Sequence, residues 1–173
     1  AALEMMAVAI GWQVYEITRR PLALGLVGLT LFLPGVVLFL VTGHAVDRFN
    51  RRDLLVVCQC GFALCSILLL LISLRGLRSV NTIYIVTLML GVVRAFNGPT
   101  GQALLPTLVA REHYPNAVPW SATIFQMATI AGPMLGGLIY TFFHGPAAVY
   151  AVAAAMALTA VMSSARIRPA PPR

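Results

Sequence analysis

Six apolar stretches alternate with short polar punctuation along the chain: Ala1–Ile17, Leu22–Val46, Leu54–Leu74, Thr82–Leu108, Val118–Phe143 and Ala147–Ala165. Most of them reach the length of about 20 residues that a helix needs to cross a bilayer core about 30 Å thick. The breaks carry turn and charge chemistry: Arg20-Pro21, the charged turn Gly43–Arg52, Arg75 to Asn81, Arg111 to Asn116 and His144-Gly145-Pro146. The pattern predicts an all-α membrane protein of six transmembrane helices, with both termini on one side and loops too short to be separate domains. The first run has neither a starting Met nor the cationic start and small-residue cleavage site of a signal peptide, and reads as a helix whose beginning is missing. The basic, proline-rich ending RIRPAPPR stops the last helix near Ala165. The expected division is therefore a six-helix domain over 1–165 and the start of a cytoplasmic linker over 166–173.

Composition narrows the class. Of 173 residues, 60% are apolar and 10% charged, with a mean hydropathy of +0.88, so the bilayer must serve as solvent. The net charge of +7, with 12 basic residues against five acids, invites a nucleic-acid reading. The placement of the arginines opposes it. Arg48, Arg51, Arg52, Arg111, Arg166, Arg168 and Arg173 fall at alternate turns and the tail, as positive-inside bias requires, while Arg19, Arg20, Arg75 and Arg78 fall on the other side. The termini, Gly43–Asp53 and Arg111–Asn116 are expected in the cytoplasm.

Charge inside the apolar runs is the candidate chemistry. Arg94 lies near the middle of its span, where an arginine costs about 3 kcal/mol and needs a partner or a water-filled cavity. Glu4 is the other deep charge. Counting about 1.5 Å per residue from the outer ends of their spans puts both about 20 Å inside, at one depth. Pairing with arginine lowers a carboxylate's proton affinity, and burial raises it. The plainer readings are a helix-anchoring arginine and a glutamate near the inner interface of a truncated helix. Gly132, Gly136 and Gly137 allow a neighbouring backbone close, and Pro133 removes a helix hydrogen bond; packing alone can account for them. Asp53 suits a helix N-terminus, and Asp47 is placed just past the second helix. Cys58, Cys60 and Cys65 read as packing, with no metal cluster, and the three histidines are scattered. Trp12, Tyr15, Tyr84, Tyr140, Phe142 and Phe143 gather near one face as an interfacial belt.

Three motifs carry a family resemblance. Gly43–Arg52, GHAVDRFNRR, resembles the loop signature G-x-x-x-D-R-x-G-R-R of the major facilitator superfamily, with Asn50 in place of a glycine, a substitution that tolerates left-handed backbone. Leu90-x-x-x-Arg94-x-x-Asn97-Gly98-x-x-Gly101-x-Ala103 is similar to the superfamily's fourth-helix motif, with Asn97 where Gln is commoner. Gly132-Pro133-x-x-Gly136-Gly137 resembles the motif of proton-coupled antiporters. The phrases WQVYEITRRPLALGLVGL and RAFNGPTGQALLPTLV further resemble the branch holding the enterobactin exporter and related efflux permeases.

The resemblance implies the N-terminal half of a major facilitator, built from two inverted three-helix repeats in a bacterial inner membrane. Its first and fourth helices would line a central cavity holding Glu4, Arg94, Asn97 and Gln126, where a Glu4–Arg94 pair made and broken in a cycle could move a proton. Gly43, Asp47, Arg48, Arg51 and Arg52 would form a charge latch that stabilises the outward-facing state. The implied activity is proton-coupled efflux of a small organic molecule such as a drug or siderophore, without a cofactor. The partners would be that substrate, protons, the lipid bilayer and a missing C-terminal six-helix half or, alternatively, a second copy. Within transport, a uniporter or lipid flippase is the alternative. Outside it stand a membrane-integral enzyme, for which no convergent His/Asp or Ser/His site is visible, and a non-transporting assembly subunit.

Overall fold

The computed structural model describes residues 1–77, 79–108 and 114–165. Among them the chain is all helical: α1 (Ala2–Thr18), α2 (Pro21–Val37), α3 (Phe39–Arg48), α4 (Arg51–Leu74), α5 (Val80–Leu108), α6 (Tyr114–Phe142) and α7 (Pro146–Ala165). Four helices have segments long and apolar enough to span a bilayer: Arg52–Leu74, Val80–Gln102, Ala117–Phe142 and Pro146–Ser164. A fifth span is available if α2 and α3 are taken together. The expected single run Leu22–Val46 is in fact two helices that meet at Leu38 with a bend of 54°. Pro34 lies one turn before the break, where its missing N–H and its ring weaken the helix. At 17 residues, α1 is slightly shorter than the usual spanning length.

The hub is α1. Met5, Met6, Ala9, Ile10 and Val14 are at most 1% exposed, because α6, α7, α2 and α5 all pack against it. Its neighbours offer narrower stripes at helical spacing, Ala23, Val27 and Leu31 from α2 and Val149, Tyr150 and Ala153 from α7. A second seam joins α4 to α5 and α7, burying Cys65 and Leu69. Cys58 and Cys65 are buried within this packing and Cys60 is exposed.

Turn chemistry sets the ends. Arg19 closes α1 in the left-handed region (φ 53°), donating its N–H to the Tyr15 carbonyl at 2.7 Å. Gly76, at φ 62°, lets the chain leave α4, with the Leu77 N–H on the Ile72 carbonyl. Asn50 departs from expectation: it is extended (φ −62°, ψ 117°), and its Oδ1 accepts the Arg52 N–H at 3.2 Å. The asparagine therefore caps α4 rather than supplying left-handed backbone. Asp53 sits in the first turn of α4 as expected, whereas Asp47 lies within the last turn of α3, not beyond it.

Candidate functional site

Two close helix approaches build the site. Pro34 deprives the Thr30 carbonyl of its helical N–H, and α5 presses on that turn through Gly91. A β-carbon built on Gly91 would lie 2.8 Å from the Thr30 carbonyl oxygen and 2.9 Å from that of Leu31. Only glycine fits there. On the other side of the hub, α6 meets α1 through Gly132 and Gly136. A β-carbon on Gly132 would lie 2.8 Å from Glu4 Cβ, and one on Gly136 would lie 3.0 Å from both Met5 Cα and the Met5 carbonyl oxygen. Gly137, in the same motif, has nothing within 4 Å. These seams hold α5 and α6 against opposite neighbours and leave α1 and α5 side by side.

In that setting Arg94 Nη2 of α5 lies 3.5 Å from Glu4 Oε1 of α1. The arginine side chain is 48% exposed and the carboxylate 23%. The contact uses one carboxylate oxygen, so the pair is end-on rather than a two-bond fork. Both charges are partly solvated in the isolated chain, and neither carries the penalty of a fully buried ion.

Beside Glu4 opens a cavity of about 330 Å³ between α1, α4, α5, α6 and α7, near the small end of the range for ligand pockets. Its polar lining comes from Glu4, Gln59, Ser66, Asn97 and Thr129, and its aromatic lining from Phe62 and Phe125. Gln59 Nε2 donates to Asn97 Oδ1 at 3.4 Å, tying α4 to α5. Among the described residues, Glu4 is the only acidic or basic side chain in the lining. Ala1 and Ala2 form one edge.

The predicted residues are only partly gathered. Glu4, Arg94 and Asn97 come together, whereas Gln126 is exposed on α6 and does not line the cavity. Pro133 lies within α6 between the two close-approach glycines. In the charged turn, Gly43 faces open space and Arg48 is exposed at the end of α3. Arg52 is half-buried in the first turn of α4. The side chains of Asp47 and Arg51, residues 109–113 with Arg111, Arg78 and residues 166–173 lie outside the described residues.

Two polar contacts escaped the charge-based reading. Gln59 is one member. The other is Gln13, 8% exposed on α1, whose Oε1 accepts the hydroxyl of the fully buried Tyr150 at 2.7 Å. A polar residue inside an apolar run is a signal that a count of charges alone passes over. At the same end of α1, Trp12 packs on Tyr15 and Tyr140 with ring centroids 6.2 and 6.5 Å apart, as an interfacial aromatic cluster would.

Long apolar helices packed through glycine seams are those of an integral membrane protein. The model of the transmembrane secretion effector family, a major facilitator family, matches residues 3–173, and the chain belongs to that family. Members of this superfamily are transporters rather than enzymes. The staphyloferrin A transporter of Staphylococcus aureus is 24% identical over 140 residues, covering 80% of this chain and 35% of the relative. The MFS-type transporter YfiS of Bacillus subtilis is 28% identical over 156 residues, covering 86% and 34%. Macrolide efflux protein A of Streptococcus pyogenes is 24% identical over 140 residues, covering 81% and 35%. The chain thus spans about a third of the length of these curated relatives.

Proposed function

We propose that this chain forms the N-terminal six-span wall of a secondary transporter that exports a small organic molecule in exchange for protons. The observation that carries the reading is the Glu4–Arg94 pair: a carboxylate able to bind a proton beside a fixed cation, next to a cavity with polar lining. In this reading α2 and α3 together make the second span, α1 makes the first, and residues 166–173 open a cytoplasmic linker. The packing supports two inverted repeats, α1 to α4 and α5 to α7. Exchanging the repeats turns the α1–α6 contact into α5–α2 and the α4–α5 contact into α7–α1, and all four are present.

The exposed face of α6 supports a second half. Only 11% of its span is buried, against 33% for α4, and Gln126 lies exposed among Phe125, Met127 and Ile130. An amide facing lipid is costly, so a further six helices, or a second copy of the chain, should cover it. The residues Gly43, Asp47, Arg48, Arg51 and Arg52 would latch that assembly at its cytoplasmic mouth in a bacterial inner membrane, with both ends of this chain inside.

The test uses the complete transporter in cells challenged with a macrolide or staphyloferrin A, the compounds named for its relatives. Glu4→Gln and Arg94→Ala should each abolish uncoupler-sensitive efflux while membrane abundance stays near wild type. Full gradient-driven efflux by Glu4→Gln would remove Glu4 as the proton carrier. Export that ignores the uncoupler in the unaltered protein would favour a uniporter or a flippase.

A further inference from the structure

The glycines of the α6 motif are not equivalent. Gly132 abuts the stem of Glu4, with 2.8 Å between its would-be β-carbon and Glu4 Cβ and 3.0 Å to the Ala1 carbonyl oxygen. Gly136 abuts the Met5 backbone, and Gly137 touches nothing. A pair held at 3.5 Å through one oxygen is sensitive to where the stem begins, because a few tenths of an ångström decide whether such a contact survives.

We infer that Gly132 is a positioning residue for Glu4: its missing side chain lets α6 seat the Glu4 stem so that the carboxylate reaches Arg94. The inference rests on the Glu4–Arg94 reading and adds a division of labour within the motif. Gly132 acts through the carboxylate, Gly136 through the α1 backbone, and Gly137 on neither. An added methyl at Gly132 must push α1 and α6 apart or turn the Glu4 stem, because the atoms it meets are a β-carbon and a backbone oxygen rather than the free end of a flexible side chain. Either movement withdraws the carboxylate from the guanidinium.

Among the described residues, the other groups around Glu4 offer no replacement for Arg94. From α4 come Gln59 and Ser66, from α5 Asn97, from α6 Thr129 and from α7 only apolar side chains. A carboxyl that loses a neighbouring guanidinium is protonated more of the time. That change can be read without any substrate.

The experiment measures covalent modification of Glu4 by dicyclohexylcarbodiimide, a hydrophobic reagent for protonated carboxyls, in the complete purified transporter at neutral pH, quantified by peptide mass spectrometry. Gly132→Ala should label at least about threefold faster than wild type, approaching Arg94→Ala, while Gly137→Ala matches wild type. If Arg94→Ala leaves the rate unchanged, the pair does not govern Glu4 and the transport reading falls with it. If Arg94→Ala accelerates labelling but Gly132→Ala does not, only the positioning role is overturned. Should Gly132→Ala fail to fold, Glu4→Asp keeps the stem contact and withdraws the carboxylate by one methylene. Accelerated labelling of the aspartate supports the seat, and a wild-type rate refutes it.

Discussion

The two glycine seams flanking α1 and α5 use one geometry for different ends. Where α5 crosses α2, Gly91 rests on the carbonyls of Thr30 and Leu31 beside Pro34, and no charged group is among the nearest atoms. Where α6 crosses α1, Gly132 and Gly136 make the same kind of approach, but one of the residues they touch carries the carboxylate paired with Arg94. Without a hydrophobic effect between helices in lipid, close backbone approach is itself a source of cohesion. The α5–α2 seam uses it for cohesion beside a proline bend, whereas the α6–α1 seam also holds an ionisable side chain in place. Damage to the first should appear in stability, and damage to the second in the behaviour of Glu4.

The largest stability effect is expected at the seam that only packs. Gly91→Ala places a methyl within 3.0 Å of two backbone oxygens and the Pro34 ring, none of which can swing aside, so it should cost about 1–3 kcal/mol of unfolding free energy. Gly28→Ala, with nothing within 4 Å, is the matched control. Reversible unfolding in mixed micelles measures both. Equal stability of the two variants would show that the seam is slack and would erase the contrast between packing and positioning.

A smaller loss is expected from the polar contact at the opposite end of the hub. Tyr150→Phe removes the hydroxyl that Gln13 Oε1 accepts at 2.7 Å and leaves that amide oxygen, in a residue only 8% exposed, without its donor. The expected cost is about 1–2 kcal/mol in the same assay. Carbodiimide labelling of Glu4 should stay at the wild-type rate, because the glutamate lies nine residues and more than two helical turns away on α1. Faster labelling would mean that the hub transmits strain along its length and that the two ends of α1 are not independent.

The sequence reveals those features whose physics is local. Long apolar runs announce α4 to α7, and Arg20-Pro21 and His144-Gly145-Pro146 mark where the chain turns. The Glu4–Arg94 pair followed from a shared depth together with the family resemblance that sets the two helices around one cavity, and the two side chains do meet. The break between α2 and α3 was signalled by Pro34 but masked by the unbroken hydrophobicity around it. Rotation about a helix axis was the least legible quantity. Apolar side chains surround α6 on nearly every face, leaving Gln126 no reference direction, and it is exposed away from the cavity while Thr129, three residues on, faces it. Gly132 and Gly137 likewise look alike in sequence, and only the position of α1 separates them.

The smallest effect belongs to the charged turn, which has neither seam nor deep charge. Asn50 caps α4 through its Oδ1 on the Arg52 N–H, and its backbone is extended rather than left-handed. If capping is what the side chain contributes, Asn50→Ala should cost about 1 kcal/mol, Asn50→Asp should be nearly neutral, and Asn50→Gly should lose only a few tenths. If instead the position required left-handed backbone, the order would change: glycine would stabilise, aspartate would stay close to asparagine, and alanine would suffer. The three variants, compared by unfolding in one micelle composition, separate these orders. A glycine variant more stable than the native protein would show that this turn gains more from backbone freedom than from the cap.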